Sequence, residues 1–316
     1  MRVSVVIRTL NEGRHLPELL AGIRRQRYDG VDVEIVVVDS GSTDDTLAIA
    51  QQFGCVVTHI RREAFSFGRS LNLGCATATG DILVITSGHC VPIGNDWLRQ
   101  LCAPVAEGRV DYSYGRQQGG PMSRFSECQI FARYFPDRSR VPQPGFFCNN
   151  ANAALARKAW EAHRFDEELT GLEDMDLAKR LCAAGGKVGY VAEAAVYHYH
   201  YESWPQVKRR FEREALALQV ILPQIHVSRR DTARYILTSI RHDLATAARQ
   251  GQLARRLGEI VRYRIAQYLG SYRGNHQHRK LSHAEKDRYF YPSNRAETHE
   301  SAEIQDRGVV ANEGQQ

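Results

Sequence analysis

Short hydrophobic runs and helical spacings of hydrophobic residues alternate along the first hundred residues of the chain. Apolar, mostly β-branched runs predict buried strands at residues 3–8, 33–38, 56–60 and 82–86. Amphipathic spacing predicts helices at residues 12–26, 43–53, 68–78 and 96–105. Strands that alternate with helices are typical of a mostly parallel sheet covered by helices on both faces. The pattern therefore predicts an α/β fold.

The pattern is irregular between residues 110 and 144 and becomes regular again further along the chain. It predicts a strand at residues 152–156, a helix at 173–184 and short strands at 187–191 and 194–198. Three helices are predicted at 204–222, 229–249 and 253–269, and the polar, aperiodic end of the chain predicts disorder. We therefore expect a domain of residues 1–202 in two halves, 1–109 and 110–202, then a helical extension, 203–291, and a disordered tail, 292–316.

The composition is that of a soluble globular protein, with 43% hydrophobic and 25% charged residues among 316. No run approaches the roughly 20 apolar residues of a membrane span, and the first apolar run is too short for the core of a signal peptide. The seven cysteines are scattered without a CxxC pair, so neither a disulfide framework nor a zinc ribbon is indicated. These features predict a cytoplasmic location.

The formal net charge of +6 is concentrated in one segment of the chain. Residues 1–202 carry −2, residues 203–291 carry +11 and residues 292–316 carry −3. The basic segment alternates arginine with isoleucine, leucine and tyrosine, as in helices that lie on an anionic membrane surface. The same helices could instead form a dimer interface. A peripheral position on the inner face of the cytoplasmic membrane and a homo-oligomer therefore both stay open.

Polar clusters follow the first two predicted strands, at residues 8–12 and 39–44. In an open parallel sheet, ligands bind at the carboxyl ends of the strands, so the two clusters predict one shared crevice. A nucleotide is the expected ligand. The turn after the first strand has no GxGxxG sequence, which argues against a Rossmann dehydrogenase.

Three ordered motifs resemble those of the family-2 inverting glycosyltransferases, which have the GT-A fold. The motifs are VVVDSGSTDDT at residues 36–46 after a TLNE turn, FGRSLNLG at 67–74 and GLEDMDL at 171–177. The resemblance covers roughly residues 1–215. It implies that the chain transfers a sugar from a nucleotide-sugar to a glycan or lipid-linked acceptor, in the synthesis of cell-envelope polysaccharide or glycolipid.

The resemblance also implies roles for individual residues. Asp174 would be the base that takes the proton of the acceptor hydroxyl. Acceptor-binding residues would be Glu173, Asn150 and Asn152. Nucleotide-sugar-binding residues would be Thr9, Asn11, Glu12, Asp39, Ser42, Arg69, Ser87 and Arg209, with Asp39 on the nucleobase. Taken singly, an acidic first helical turn or an SGSTD turn is common in any protein, so the ordered set of motifs carries this interpretation.

The chain departs from the family where the carboxylates of a DXD motif would bind a divalent cation, Mn²⁺ or Mg²⁺. Ser87-Gly88-His89 occupies that position. Imidazole can bind manganese or a later transition metal, and His198, or alternatively His200, is the expected partner of His89. Metal-independent transfer through basic residues and a degenerate, inactive site are the other two possibilities.

Two other functions compete with that of an enzyme. The missing DXD motif would suit a catalytically inactive, sugar-nucleotide-binding partner subunit. The basic segment would suit a nucleic-acid-binding protein. That segment has no recognised nucleic-acid-binding motif and its charge is spread over long helices, so we expect no nucleic acid partner.

Overall fold

One sheet of eight strands lies in the part of the chain that we describe, residues 1–276 of a computed structural model. Its strands are β1 (Arg2–Thr9), β2 (Asp32–Asp39), β3 (Val56–His59), β4 (Ile82–Ser87), β5 (Cys90–Pro92), β6 (Tyr112–Gln118), β7 (Asn152–Ala156) and β8 (Val188–His198). Their order across the sheet is β3-β2-β1-β4-β7-β6-β8-β5. The four strands predicted in the first hundred residues are therefore neighbours at one side of the sheet.

The first four strands are parallel to one another, with β1 between β2 and β4. In the other half of the sheet, β7 and β5 run antiparallel to their neighbours, whereas β6 and β8 are parallel. The sheet is therefore mixed. The register places Thr9 opposite Asp39 and Arg8 opposite Ser87, so the carboxyl ends of three strands meet at one edge.

Ten helices lie on the sheet and on one another within residues 1–276. They are α1 (Leu16–Arg24), α2 (Thr46–Gln52), α3 (Phe67–Thr77), α4 (Trp97–Ala106), α5 (Phe125–Tyr134), α6 (Arg157–His163), α7 (Glu173–Ala183), α8 (Trp204–Ile221), α9 (Arg229–Arg249) and α10 (Leu253–Asn275). The apolar stripe of α1 shows how the helices pack, since Leu16, Leu19 and Leu20 are fully buried in the core that contains the β-branched residues of β1 and β2. The predicted α/β class is confirmed.

Some elements differ from the prediction. The two short strands predicted at residues 187–191 and 194–198 are one strand, β8, whose pairing register with β6 shifts between Gly115 and Gln117. Elements β5, β6, α5 and α6 are not predicted. The sequence of β6 hides its strand character because the polar Ser113 and Gln117 are buried inside the sheet, where other groups satisfy their hydrogen bonds.

The helices that follow the sheet begin at recognisable caps. Ser203 and Ser228 form capping boxes at the starts of α8 and α9. Within residues 1–276 these helices belong to the same compact unit as the sheet. The predicted tail, residues 292–316, and the end of the predicted extension lie outside the described residues. Among the residues described, no helix combines the length and the apolar character that a membrane crossing requires.

Helix α10 packs closely on α8. A Cβ atom at Gly270 would overlap the carbonyl oxygen of Lys208, and a Cβ atom at Gly274 would overlap that of Glu212. Two glycines four residues apart lie on the same face of a helix, so together they let the two backbones approach. This contact fixes α10 against the helix that follows the sheet.

Candidate functional site

The carboxylate of Asp39, at the end of β2, is buried and held by hydrogen bonds. Its Oδ2 accepts the backbone N–H groups of Gly41 and Ser42 at 2.9 and 3.0 Å. Its Oδ1 accepts the hydroxyls of Ser42 and Thr9 at 2.5 and 3.2 Å. The structure thus brings the predicted residues Thr9, Asp39 and Ser42 together at the carboxyl ends of β1 and β2.

The turn after β1 is fixed to the loop after β2. Asn11 has a left-handed backbone, with φ of 56°, and its side-chain oxygen accepts the N–H of Thr43 at 2.8 Å. The N–H of Asn11 donates to Ser42 Oγ at 2.9 Å, and that of Glu12 donates to Thr46 Oγ1 at 2.8 Å. Non-glycine residues in this conformation are uncommon and cluster at functional sites. The turn therefore holds Glu12 in a defined position above the strand ends.

Three histidines from two distant parts of the chain meet at this end of the sheet. One ring nitrogen each from His89, His198 and His200 lies within 4.8 Å of the others. The His89 ring stacks on that of His198 at 5.1 Å between centroids, and Phe131 packs against His198 at 5.6 Å. Both predicted partners of His89 are therefore beside it. We call these three residues the histidine cluster.

Each ring of the histidine cluster has its Nδ1 atom bonded to a side-chain oxygen. The oxygens belong to Glu12 for His89, Gln117 for His198 and Glu127 for His200, each at 2.7 Å. Histidines that bind metals in proteins usually donate the other ring N–H to such an oxygen, which fixes the ring and its tautomer. Nε2 is then the atom that each ring has left for a ligand. The donor set thus fits a divalent cation.

The pKa values of His198 and His89 are shifted in opposite directions. Burial lowers the pKa of His198 well below its ordinary value, and the neighbouring His200 and His89 lower it further. Burial also lowers the pKa of His89, but the charge of Glu12 and its hydrogen bond outweigh burial and raise it overall. His198 is therefore neutral at pH 7, which is the form of imidazole that binds metals.

A buried ion network joins the histidine cluster to the C-terminal helices. Glu127 Oε1, on α5, accepts from His200 and also from Arg210 Nη2, on α8, at 3.0 Å. The same guanidinium pairs with Glu202 at 2.9 Å and contacts the Tyr263 hydroxyl, on α10, at 3.3 Å. Burial would raise the pKa of Glu202, but Arg210 and His200 outweigh it and lower this pKa to about 2. The network keeps Glu127 ionised and oriented toward its histidine.

Two buried carboxylates begin helix α7. Leu172, just before them, has a left-handed backbone with φ of 56°. Asp174 accepts the N–H of Asn150 at 2.8 Å and that of Met175 at 2.7 Å, and Glu173 accepts from the Asn150 side chain at 3.4 Å. Both carboxylates are at most 5% exposed. Backbone strain at Leu172 and two buried acids side by side are features typical of functional sites.

The protonation of Asp174 is shifted toward neutral pH. Burial and the negative charge of Glu173 raise the pKa of Asp174 to about 7. The hydrogen bonds from the backbone N–H groups of Asn150 and Met175 lower this pKa, but by less. A carboxylate whose pKa lies near the working pH is suited to general base catalysis. This agrees with the role that the sequence predicts for Asp174, which stays a prediction.

Arginine side chains lie next to the carboxylate pair. Arg8, near the end of β1, forms an ion pair with Glu173 at 3.2 Å. The guanidiniums of Arg8 and Arg213 each lie over the ring of Phe67, at 4.8 and 4.6 Å from its centroid. The charge of Arg8 acts on the pKa of both Asp174 and His89, so this residue lies near the acids and near the histidine cluster.

Two asparagines predicted to bind the acceptor have clear packing contacts. Asn152 is fully buried, its Nδ2 donates to the carbonyls of Arg116 and Ala194, and its Oδ1 accepts from Trp97. Its binding of the acceptor stays a prediction. Asn150 is 1% exposed and binds both Glu173 and Asp174, so it positions the carboxylates.

Three other residues predicted to bind the nucleotide-sugar are Arg69, Ser87 and Arg209. Arg69 donates to Glu167 at 2.8 Å and to the Ala64 carbonyl at 2.8 Å, contacts that hold a loop. Ser87 ends β4 beside Arg8, and Arg209 lies half-buried on α8. Their binding of a nucleotide-sugar stays a prediction.

Several residues of the site are missing from the sequence prediction. Gln117 and Glu127 lie in the irregular stretch between residues 110 and 144, where no periodic pattern marks them. A signal for Arg8 existed, because a charged residue near the end of a buried apolar strand requires a partner. The pairing of Arg210 with Glu202 could be identified only from the structure, in which both lie next to the histidine cluster.

Comparison with known sequences gives a consistent result. The model of the family described as glycosyl transferase family 2 matches residues 4–164. The O-antigen chain rhamnosyltransferase RfbN of Salmonella typhimurium is 27% identical over 227 residues, which cover 67% of this chain and 71% of the relative. The O-antigen chain rhamnosyltransferase WbaN of Salmonella anatum is 28% identical over 201 residues, which cover 59% and 63% of the two chains.

Solved structures show the same fold. The mannosyltransferase PcManGT from Pyrobaculum calidifontis, in complex with GDP-Man and Mn²⁺, has a TM-score of 0.59 at 19% identity, covering 85% of this chain and 86% of its own. S. aureus TarS 1-349, in complex with UDP, has a TM-score of 0.52 at 16% identity, covering 87% and 90%. These likenesses confirm the predicted GT-A fold.

Proposed function

Because the chain belongs to glycosyl transferase family 2, we propose that it transfers a hexosyl residue from a nucleotide-sugar to an acceptor hydroxyl with inversion at the anomeric carbon. The observation that supports this most is the buried pair Glu173 and Asp174, which Arg8 links to the strand ends that carry His89. The relatives named as O-antigen rhamnosyltransferases favour an acceptor in cell-envelope polysaccharide and make rhamnose the first donor sugar to test.

The carboxylate pair supplies the acid–base chemistry in this proposal. The acceptor oxygen attacks the anomeric carbon, its proton passes to Asp174, and the bond between that carbon and the diphosphate oxygen breaks. The nucleoside diphosphate leaves with the bonding electrons. Glu173 is held by Arg8 and Asn150, so it orients the acceptor side of the site.

The strand ends hold the donor in this proposal. Asp39 lies among Thr9, Ser42 and the turn at Asn11, where it would accept from the nucleobase. Arg8 and Arg213 offer positive charge for the diphosphate, for which the guanidinium geometry is suited.

A divalent cation bound by His89, His198 and His200 would supply further positive charge to the donor diphosphate. The residues fit this group because their three Nδ1 atoms are already bonded and their rings are close together. A cation in the mannosyltransferase neighbour, Mn²⁺, supports the same general chemistry.

An exposed face of α10 supports a membrane-associated site of action. Leu253, Leu257, Ile265 and Leu269 lie along one side of this helix, each about 40 to 50% exposed. Arg255 and Arg262 lie nearby on the same helix. Exposed leucines together with arginines favour contact with an anionic lipid surface, where a lipid-linked acceptor would be reached.

A donor screen tests the proposed function. Purified protein is incubated with nucleoside-diphosphate sugars, including rhamnose, and with envelope glycan acceptors, and released nucleoside diphosphate and product linkage are measured. We expect release that requires the acceptor and a product of inverted anomeric configuration. Binding of a nucleoside diphosphate without any transfer would instead favour an inactive partner subunit. A retained configuration would overturn the inverting mechanism.

A further inference from the structure

We infer that the histidine cluster selects an imidazole-preferring divalent ion, of the class of Zn²⁺ or Co²⁺, over Mg²⁺. The inference rests on the proposed function only in that the bound ion would face the donor diphosphate. It narrows the cation class, because the sequence prediction of Mn²⁺ or Mg²⁺ follows from carboxylates that this chain lacks.

The donor set is the first argument. Three imidazole nitrogens, one each from His89, His198 and His200, form the group of ligand atoms that lie together among residues 1–276. Mg²⁺ prefers oxygen ligands and gives up its water reluctantly. Imidazole suits zinc and other late first-row ions, whose affinities for nitrogen sites exceed that of Mn²⁺. The histidine cluster therefore gives Mg²⁺ no ligand that this ion prefers over water.

The second argument is that the rings are held in place before any ion binds. Three separate elements supply the oxygens that bond the Nδ1 atoms: the turn after β1, strand β6 and helix α5. Phe131 packs against two of the rings, His198 at 5.6 Å and His200 at 6.2 Å between centroids. A site whose ligands are fixed binds more tightly, since less ordering is required on binding.

The third argument concerns the free ring nitrogens. Within residues 1–276, no hydrogen bond reaches Nε2 of His89, His198 or His200. His198 is buried, whereas the side chains of His89 and His200 are 26% and 16% exposed, so a ligand can reach the cluster from solvent. Three rings that are each bonded at Nδ1 alone are arranged as in metal centres, where second-layer acceptors orient the ligands.

Metal binding by the full chain tests the inference. Protein stripped with a chelator is dialysed to equilibrium against Zn²⁺, Co²⁺, Mn²⁺ or Mg²⁺, and bound metal is measured by mass spectrometry. The visible ligand-field absorption of Co²⁺ reports nitrogen ligation. We expect one Zn²⁺ or Co²⁺ per chain and an affinity for Mg²⁺ at least about 100-fold weaker. Equal affinity for Mg²⁺ and Zn²⁺ would overturn the inference.

Variants tie the ion to the cluster. We expect His89→Ala and His198→Ala each to abolish stoichiometric Zn²⁺ binding, and Gln117→Ala to weaken it by roughly 10-fold to 100-fold. His242→Ala is the matched control, since its side chain lies on α9 and is 67% exposed. Circular dichroism of the metal-free variants separates loss of the ligand from loss of the fold. Full Zn²⁺ binding in well-folded His89→Ala and His198→Ala proteins would overturn the inference.

The outcome is separate from that of the donor screen. A chain that binds Zn²⁺ selectively but transfers no sugar supports this inference and contradicts the proposed function. A chain that transfers sugar after chelation, and that binds no late transition metal, supports the proposed function and contradicts this inference.

Discussion

At the scale of single residues, the suitability of Asp174 as the proposed base depends on its surroundings. Glu173 and burial push its pKa up, whereas two backbone N–H groups hold its oxygens in place. An acid kept in this state can accept a proton near pH 7 without moving. Its neighbour Asp176 lies in the same helical turn but pairs with Arg180 at 2.8 Å.

We expect Asp174→Asn to lower kcat by roughly 10²-fold to 10⁴-fold, because the amide cannot take the acceptor proton. KM for the donor should change little, since Asp174 faces the acceptor in the proposed site. Steady-state kinetics of nucleoside diphosphate release measure both. Asp176→Asn is the control, with activity retained and a stability loss of about 0.5 kcal/mol from the lost helix pair. Equal activities of the two variants would contradict the assignment.

The pH dependence of kcat should follow the pKa of Asp174. This pKa is raised to about 7, so the residue is protonated and inactive as a base below that pH. We expect kcat to rise about tenfold per pH unit below pH 7 and to level off above it. Initial rates at saturating substrates, with a constant-ionic-strength buffer set, measure the profile. A kcat that is flat from pH 5 to pH 8, or that falls with rising pH, would exclude Asp174 as the base.

Sequence reasoning finds individual residues to different extents. Asp39, Asp174 and His89 follow from ordered motifs, and the structure places each at the same end of the sheet. For Asn152 the motif position does not reveal that Trp97 and two carbonyls bond its buried amide, so its predicted contact with the acceptor stays a prediction. Gln117 could not be predicted, since its role depends on the parallel pairing that places β6 beside β8 and thereby beside His198.

At the scale of elements, the fold is predicted best where buried strands are apolar runs that alternate with amphipathic helices. Strands β1 to β4 satisfy this condition and are found. Strand β6 fails it, because it buries polar side chains. Helix α5 fails in a related way: its buried Glu127 breaks the apolar stripe, and only Arg210 and His200 explain why a carboxylate lies there.

The contact of α10 with α8 gives a prediction about stability. We expect Gly274→Ala to lower the free energy of unfolding by roughly 1–3 kcal/mol, because its Cβ would overlap the Glu212 carbonyl oxygen. Gly258→Ala, in the same helix, meets no atom within 4 Å and should stabilise the protein by up to about 1 kcal/mol. Urea unfolding measures both. If Gly274→Ala stabilised the protein as Gly258→Ala does, α10 would not pack closely on α8.

At the scale of the whole molecule, the arginines of the basic segment occupy two kinds of position, within ion pairs and on the surface. Arg264 is buried and pairs with Asp243 at 2.7 Å, and the half-buried Arg210 pairs with Glu127 at 3.0 Å, so both contribute to packing. Other arginines of the basic segment, such as Arg255 and Arg262, are exposed beside the leucines of α10. The pair of Arg264 and Asp243 already cancels within the net charge of +11. Glu127 and Glu202, the partners of Arg210, lie outside the segment and lower the charge that a partner would meet.

We expect the protein to sediment with vesicles of anionic phospholipid at low salt and to be released as salt rises, because part of the attraction is electrostatic. Leu257→Glu with Leu269→Glu should reduce vesicle binding, since these side chains are 48% and 42% exposed on α10. Val220→Glu, 67% exposed on α8, is the control. Unchanged binding of the double variant, or equal binding to neutral vesicles, would contradict a membrane contact through this face.

The two edges of the sheet have a consequence for how the protein behaves at high concentration. One edge is β3, of four residues, and the other is β5, of three residues, which ends in Pro92. A strand from another molecule would find few free N–H groups there, and proline offers none. The two edge strands therefore offer few groups for pairing with a strand of another molecule, which lowers the tendency of the sheet to aggregate on a crowded surface.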